Sequence, residues 1–349
     1  MNEILNVLPW GKLRHNKIDC LLFILFLLIS FWLFPHQEKA WGQEKDFVVK
    51  KIDLSQYGTS ASIAQDPKSE QLAIGFNNCN LIFLDNSLNW KDELFLKDCK
   101  RFFRARYGNL EGKSLLISSI YTGSSVLSNS QAKYDIPLHK AAVTDSLIIQ
   151  DYLLSSSDDG TVQISRIIDL SPPQVNTLKL YESIGVARNL AFFRAPNAEV
   201  DKVAVSYDSG EITIFTIDRN TLRNPVQPTT FRNINSRVNT FKFTPDGSKL
   251  LIGYFTGELV EIDLISGASR TLFKVDSWLN ALDINSQNLV AIADDQGFVR
   301  IISLATGKVV EEHQISSTGI NAVIFTNDQT ILAADAAGIV YQGKLMGGH

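Results

Sequence analysis

Three segments of this chain recur at a nearly fixed interval, and a repeat of that kind decides architecture before any single residue does. Asn239-Thr-Phe241-Lys-Phe243, Asn280-Ala-Leu282-Asp-Ile284 and Asn321-Ala-Val323-Ile-Phe325 each alternate as a half-buried strand does. A turn and a short apolar strand follow each one. A glycine then opens another alternating run: Gly257-Glu-Leu259, Gly297-Phe-Val299-Arg-Ile301 and Gly338-Ile-Val340. The asparagine-to-glycine separations are 18, 17 and 17 residues. Chance does not produce that constancy.

The pattern continues backwards. Asn189 and Gly210 define a unit with Val203 to Val205 as its middle strand, and Leu153-Leu154 with Gly160-Thr-Val162-Gln-Ile164 another. Ser114 to Ile120 with a turn near Gly123 is more degenerate, and Leu72 to Phe76 followed by Asn80 to Leu84 comes first. Turns near 79, 123, 160, 210, 257, 297 and 338 make seven units. Residues 47 to 345 shared among them give roughly 43 residues each, the length of a four-stranded propeller blade. The fold class is therefore all-β: a seven-bladed β-propeller, residues 43–349, with four-stranded blades. The last unit ends at Tyr341 to Leu345 with only three strands. Phe47 to Leu54 reads as a spare strand that completes it and closes the ring, which removes an open sheet edge.

Phe243-Thr-Pro245-Asp246-Gly247, Lys249-Leu-Leu-Ile-Gly253 and Gly257-Glu-Leu-Val-Glu-Ile262-Asp263 resemble the core of the WD-repeat β-propeller family. The resemblance covers about residues 47 to 345 and is strongest from 230 onward. The family's Gly-His and Trp-Asp dipeptides are missing, with Ile217-Asp218 and Ile262-Asp263 standing in for the latter. Those departures argue against the hydrogen-bond network that family builds from His and Asp.

Residues 1–42 differ in kind. Lys12, Arg14 and Lys17 precede an uncharged apolar run from Cys20 to Phe34. Basic residues ahead of an apolar core mark a signal peptide or a membrane anchor. Ala40-Trp41-Gly42 offers small residues for cleavage before Gln43. Uncleaved, residues 18–34 form one hydrophobic helix in the membrane ahead of the ring. Either way the positive flank keeps the N-terminus cytoplasmic and sends the remainder outside, membrane-anchored or periplasmic or secreted.

Beyond that leader only Cys79 and Cys99 remain of three cysteines. Pairing Asn80–Asn86 with Asp92–Asp98 around Leu88-Asn89-Trp90 makes partner numbers sum to about 178, which sets the two thiols near each other. They form a disulfide, or serve as two small core residues.

Catalytic signals are poor. Of five histidines, His15 and His36 lie in the leader and His349 ends the chain, while His139 and His313 lack metal-ligand spacing. No metal, cofactor or catalytic residue is assigned. Gly108-Asn-Leu-Glu-Gly112-Lys113-Ser114 imitates a phosphate loop but is one residue short and sits in a strand-to-strand turn. Asp158-Asp159, Asp208, Asp294-Asp295 and Asp335 recur before turn glycines, as a carboxylate ring or as ordinary turn formers. Asn189, Asn239, Asn280 and Asn321 either line the channel as ligands or satisfy backbone groups at the start of each inner strand. The net charge of −4 gives no sign of nucleic-acid affinity, which would need a basic face, and no nucleic-acid partner is expected.

Propellers of the resembled family bind partners through the loops before the first strand and after the second. Here those loops place Arg237 and Trp278 in the first class and Tyr207, Tyr254 and Phe255 in the second. Arginine and aromatics bury much surface with few rotors, so they dominate binding hot spots. Inter-blade packing is their alternative role. The expectation is a non-enzymatic protein-protein interaction scaffold on the extracytoplasmic side of a membrane. Its rivals are a propeller enzyme of the quinone-dehydrogenase or lactone-hydrolase kind, and an anchored scaffold facing the cytoplasm.

Overall fold

This computed structural model describes residues 47–347, apart from 111, 129–132, 151, 171–172, 183–184, 197, 222–226 and 233–235. The chain divides between Lys45 and Asp46, and every described residue belongs to the second unit. That unit is seven four-stranded antiparallel sheets.

β1 (Val48–Asp53) comes first in the chain and last in the ring. Blade one is β2 (Ser60–Gln65), β3 (Leu72–Phe76), β4 (Asn80–Leu84) and β5 (Trp90–Phe95). Blade two is β6 (Phe102–Leu110), β7 (Lys113–Ile120), β8 (Ser124–Ser128) and β9 (Lys133–Pro137). Blade three is β10 (Val143–Ile149), β11 (Tyr152–Ser157), β12 (Thr161–Leu170) and β13 (Pro173–Glu182). Blade four is β14 (Ala187–Arg194), β15 (Val200–Tyr207), β16 (Glu211–Asp218) and β17 (Thr229–Arg232). Blade five is β18 (Val238–Phe243), β19 (Lys249–Tyr254), β20 (Glu258–Asp263) and β21 (Ser269–Lys274). Blade six is β22 (Leu279–Ile284), β23 (Leu289–Asp294), β24 (Phe298–Ser303) and β25 (Lys308–Gln314). Blade seven is β26 (Ile320–Asn327), β27 (Thr330–Asp335), β28 (Ile339–Lys344) and the returning β1.

The first strand of each blade touches the first strand of the next, and β26 touches β2, so the circle closes. β1 pairs antiparallel with β28, from Val48 opposite Gly343 to Asp53 opposite Ile339. Phe47 extends that seam, because its ring stacks on His313 of blade six at 3.9 Å. Second strands lie between two neighbouring blades and bury both faces. β3 and β23 are buried at every residue, whereas the outermost β5 is mostly exposed. Each large aliphatic side chain buried there stabilises the ring by about 1.5–3 kcal/mol relative to exposure.

The seven turns counted in the sequence share one backbone conformation. Cys79, Gly123, Gly160, Gly210, Gly257, Gly297 and Gly338 all have φ between 74° and 86°. The reason is crowding as well as curvature. A Cβ on Gly257 would lie 1.8 Å from the Val275 carbonyl oxygen, because the loop to the next blade crosses there. Blade one alone uses a non-glycine, Cys79, and spends it on a bond. Cys79 and Cys99 are joined, with Cα atoms 5.9 Å apart. The register differs from the sequence reading: Asn80 pairs with Phe95 rather than with Asp98. A turn from Leu96 to Cys99, with Asp98 at φ 68°, swings the second sulfur back.

The expected fold class needs one correction. The described residues are all-β, with a single 3-10 turn at Ser55–Tyr57 and no α-helix, so the hydrophobic helix is dropped from it. No helix among the described residues is long and apolar enough to cross a membrane. Residues 18–34, on which that helix was placed, lie outside the described residues.

Candidate interaction face

One backbone hydrogen bond recurs in all seven blades and organises one face of the ring. The residue just after each second strand donates its N–H to the carbonyl just before the first strand. The donors are Asn77, Tyr121, Asp158, Asp208, Phe255, Asp295 and Ala336. Their acceptors, in the same order, are Thr59, Arg101, Ala142, Val186, Arg237, Trp278 and Gly319. Side chains at these paired positions therefore decorate a common surface.

Three of the five candidate residues sit there together. The Arg237 guanidinium lies 4.8 Å from the centre of the Phe255 ring. Phe255 meets Trp278 edge-on at 5.3 Å. Trp278 is 52% exposed. Arg237 Nε also reaches Asp208 Oδ1 at 3.1 Å. Asp208 in turn takes two bonds from Arg188, whose remaining nitrogen meets Asp158 at 2.9 Å. The strip Asp158–Arg188–Asp208–Arg237–Phe255–Trp278 thus runs unbroken from blade three to blade six. Burial tends to raise the Asp208 carboxyl, but the two guanidiniums hold it below the usual carboxylate range.

Tyr207 and Tyr254 do not belong to this strip. Each is the last residue of its second strand, 0% and 3% exposed, and alternation turns it inward. Tyr207 packs against Tyr181 in the core between blades three and four. The residue that faces outward in blade four is its successor, Asp208. Sequence reasoning also missed Arg101 and Tyr121, the equivalent pair in blade two. Arg101 lies 5.2 Å from the Phe103 ring, which stacks near Tyr121 at 6.5 Å. Tyr121 stands two residues before the turn at 123 as Phe255 stands two before 257, whereas Arg101 lies two residues further back than Arg237 does from its turn.

The inner strands are stapled across every blade boundary. Asn189 Nδ2 donates to the Asn239 carbonyl, Asn239 to Leu279, and Asn321 to Ser60. Asn189, Asn239 and Asn321 thus satisfy backbone groups of the neighbouring blade, Asn280 accepts from Asn239 Nδ2, and all four also line the cavity at the channel mouth. Ser62 exchanges bonds with the backbone of Ala105. Asp145 accepts from Arg104, from both Nε and Nη2 of Arg106, and from the Leu190 amide. Burial would raise the Asp145 carboxyl; the two guanidiniums and the amide outweigh it and keep it low. Asp283 pairs with Lys242 on one side and accepts from the Phe325 amide on the other.

One constellation has the residue types of a hydrolase. His139 Nε2 lies 2.7 Å from Ser155 Oγ, and its Nδ1 lies 2.8 Å from Thr161 Oγ1 and 3.5 Å from Asp159. Ser155 and the His139 side chain are fully buried, so no substrate reaches either. The imidazole, its basicity lowered mainly by that burial, ties the loop before β10 to the turn after β11. In blade three, then, a histidine and an aspartate share the Thr161 hydroxyl, which both His139 and Asp159 engage. Among the described residues no cluster of His, Cys, Asp or Glu could hold a metal. The central channel, about 780 Å³, is lined by no carboxylate and no histidine among the described residues.

No known protein-family model matches the chain. Among curated proteins it is similar to an uncharacterised protein of Rickettsia conorii, at 25% identity over 204 residues. That match covers 54% of this chain and 46% of the other, so the chain spans about half the length of the curated relative it matches.

Proposed function

We propose that this chain is a non-enzymatic interaction scaffold whose propeller presents the Arg237–Phe255–Trp278 face to a partner protein outside the cytoplasm. The observation that carries the reading is the strip of alternating charge and aromatic surface crossing four blades. Such a surface combines the anchors that dominate association with carboxylates that hold the arginines in place. We read the ring as a divergent WD-repeat propeller, supported by the blade-three His139–Asp159 contact. The quinone-dehydrogenase and lactone-hydrolase alternative asks for convergent acids or histidines in the channel, and its described lining favours the scaffold.

Two features support an extracytoplasmic position: the basic-then-apolar leader in the sequence, and the Cys79–Cys99 bond, which persists where the surroundings are oxidising. Intact mass before and after reduction tests the second; a difference of two hydrogens is expected from protein recovered without reductant. For the face itself, the test is cross-linked capture from the native host by wild type and Trp278→Ala. The variant keeps the wild-type melting curve and loses capture by about tenfold or more. Equal capture removes Trp278 from the docking surface.

A further inference from the structure

The channel mouth on this face is cationic. It is a cavity of about 290 Å³ whose walls include Arg101, Arg104, Arg188 and Arg237 and, among the described residues, no carboxylate. Arg104 also lines the channel below. A chain with a net charge of −4 does not acquire such a mouth from its average composition.

The charges behind the wall do not cancel it. Asp145 serves Arg104 and Arg106 together, Asp208 serves Arg188 and Arg237, and Asp158 serves Arg188. Four guanidiniums therefore share three carboxylates, and Arg101 adds a fifth cation beside them. Arg101 is exposed and has no ion pair among the described residues, its recorded contact being the Phe103 ring. Arg104 engages Asp145 through Nη1 and leaves Nε and Nη2 for another acceptor, with its side chain 31% exposed. A planar guanidinium with one edge free is a carboxylate receptor in waiting.

We infer that the occupant of this mouth is an extended acidic segment of the partner protein. This rests on the docking-face reading above and names the partner's chemistry. Its carboxylates enter between Arg101 and Arg104, and a large apolar side chain lies across Phe255 and Trp278. Arg237 connects the two subsites, since it lines the mouth and stacks on Phe255. Nucleic acid suits the site less well. A phosphate backbone needs a run of basic surface, whereas here Asp158 and Asp208 flank a single opening.

The probe is a fluorescein-labelled peptide with a run of glutamates followed by a leucine, read by anisotropy on the intact, oxidised chain. Saturable binding is expected, weakening as salt rises. The same peptide with glutamines binds about tenfold more weakly, and Arg101→Glu costs about as much without moving the melting curve. Arg104→Lys, which keeps a cation beside Asp145 but loses the fork, also weakens binding. No binding of the glutamate peptide, equal binding of the glutamine peptide, or equal binding of an oligothymidylate of matching charge overturns the inference. If the peptide fails while cross-linked capture still depends on Trp278, only the acidic assignment falls. If capture ignores Trp278 while the peptide binds through Arg101, the mouth stands and the aromatic face falls.

Discussion

Blades five and six and blades two and three solve the same packing problem with different chemistry. Between five and six the fully buried cluster is aliphatic, Leu251, Leu259, Leu279, Leu282, Val290 and Ile292 among its members, with the Lys242–Asp283 pair beside it. Blades two and three share an aliphatic patch around Leu115, Ile117 and Leu153, but hydroxyls fill much of what remains. Ser119 meets Ser146 at 2.6 Å, Ser125 donates to Ser146, and Thr144 meets Ser156 at 2.9 Å. Fully buried Asp145 sits among them. Aliphatic contacts tolerate small shifts because dispersion is non-directional. Hydroxyl contacts hold only when donor and acceptor stay aligned, so this side of the ring depends on geometry and on pH.

Asp145→Ala breaks that comparison most severely. It strands Arg104, Arg106 and the Leu190 amide at two blade boundaries, and the expected loss is about 3–5 kcal/mol in chemical denaturation. Next comes Ile292→Ala on the aliphatic side, expected to cost about 2–4 kcal/mol, with the lining partly collapsing into the space. If Ile292→Ala proves the more damaging, the polar cluster contributes specificity and not strength.

His139 sharpens the pH side of the contrast. Its folded basicity lies below the ordinary value of 6.5, so the unfolded chain binds the proton first as pH falls. The contribution of the neutral ring is complete above about 6.5 and is lost as pH falls toward the folded value, by at most about 1.4 kcal/mol per pH unit. Asp145 and Asp159, both held low, respond only in the more acidic carboxylate range. Wild type minus His139→Asn, followed by melting between pH 7.5 and 5, should show that slope; parallel curves would falsify the assignment. The smallest effect belongs to Ser118→Ala. The Ser118 hydroxyl is buried with no hydrogen-bond partner among the described residues, so its removal should raise stability by up to about 1 kcal/mol. A loss of similar size would reveal an acceptor, such as an enclosed water.

The same contrast explains what the sequence disclosed. Units from residue 230 onward were legible because aliphatic alternation and the glycine at 257, 297 and 338 keep step. Leu115-Leu-Ile-Ser-Ser-Ile120 and Leu153-Leu-Ser-Ser-Ser157 are equally buried strands, yet their serines shorten the apolar run, so the unit at Ser114 to Ile120 read as more degenerate. The face was half legible. Arg237, Phe255 and Trp278 follow from loop class, but Tyr207 and Tyr254 required knowing which residue ends the strand. The cysteine pairing was approached through a register three residues out, since the turn after β5 leaves no mark in periodicity. Arg101 was hidden because it gains meaning only beside Arg104 of its own blade and Arg188 and Arg237, which arrive from blades four and five.

The seam between β1 and β28 carries a consequence for how the chain is made. During synthesis, the strand that finishes the circle emerges before any of the sheets and must stay unzipped until the final hairpin exists. A product truncated ahead of β26 therefore has no berth for Val48 to Asp53, and a half-made ring carries a dangling strand.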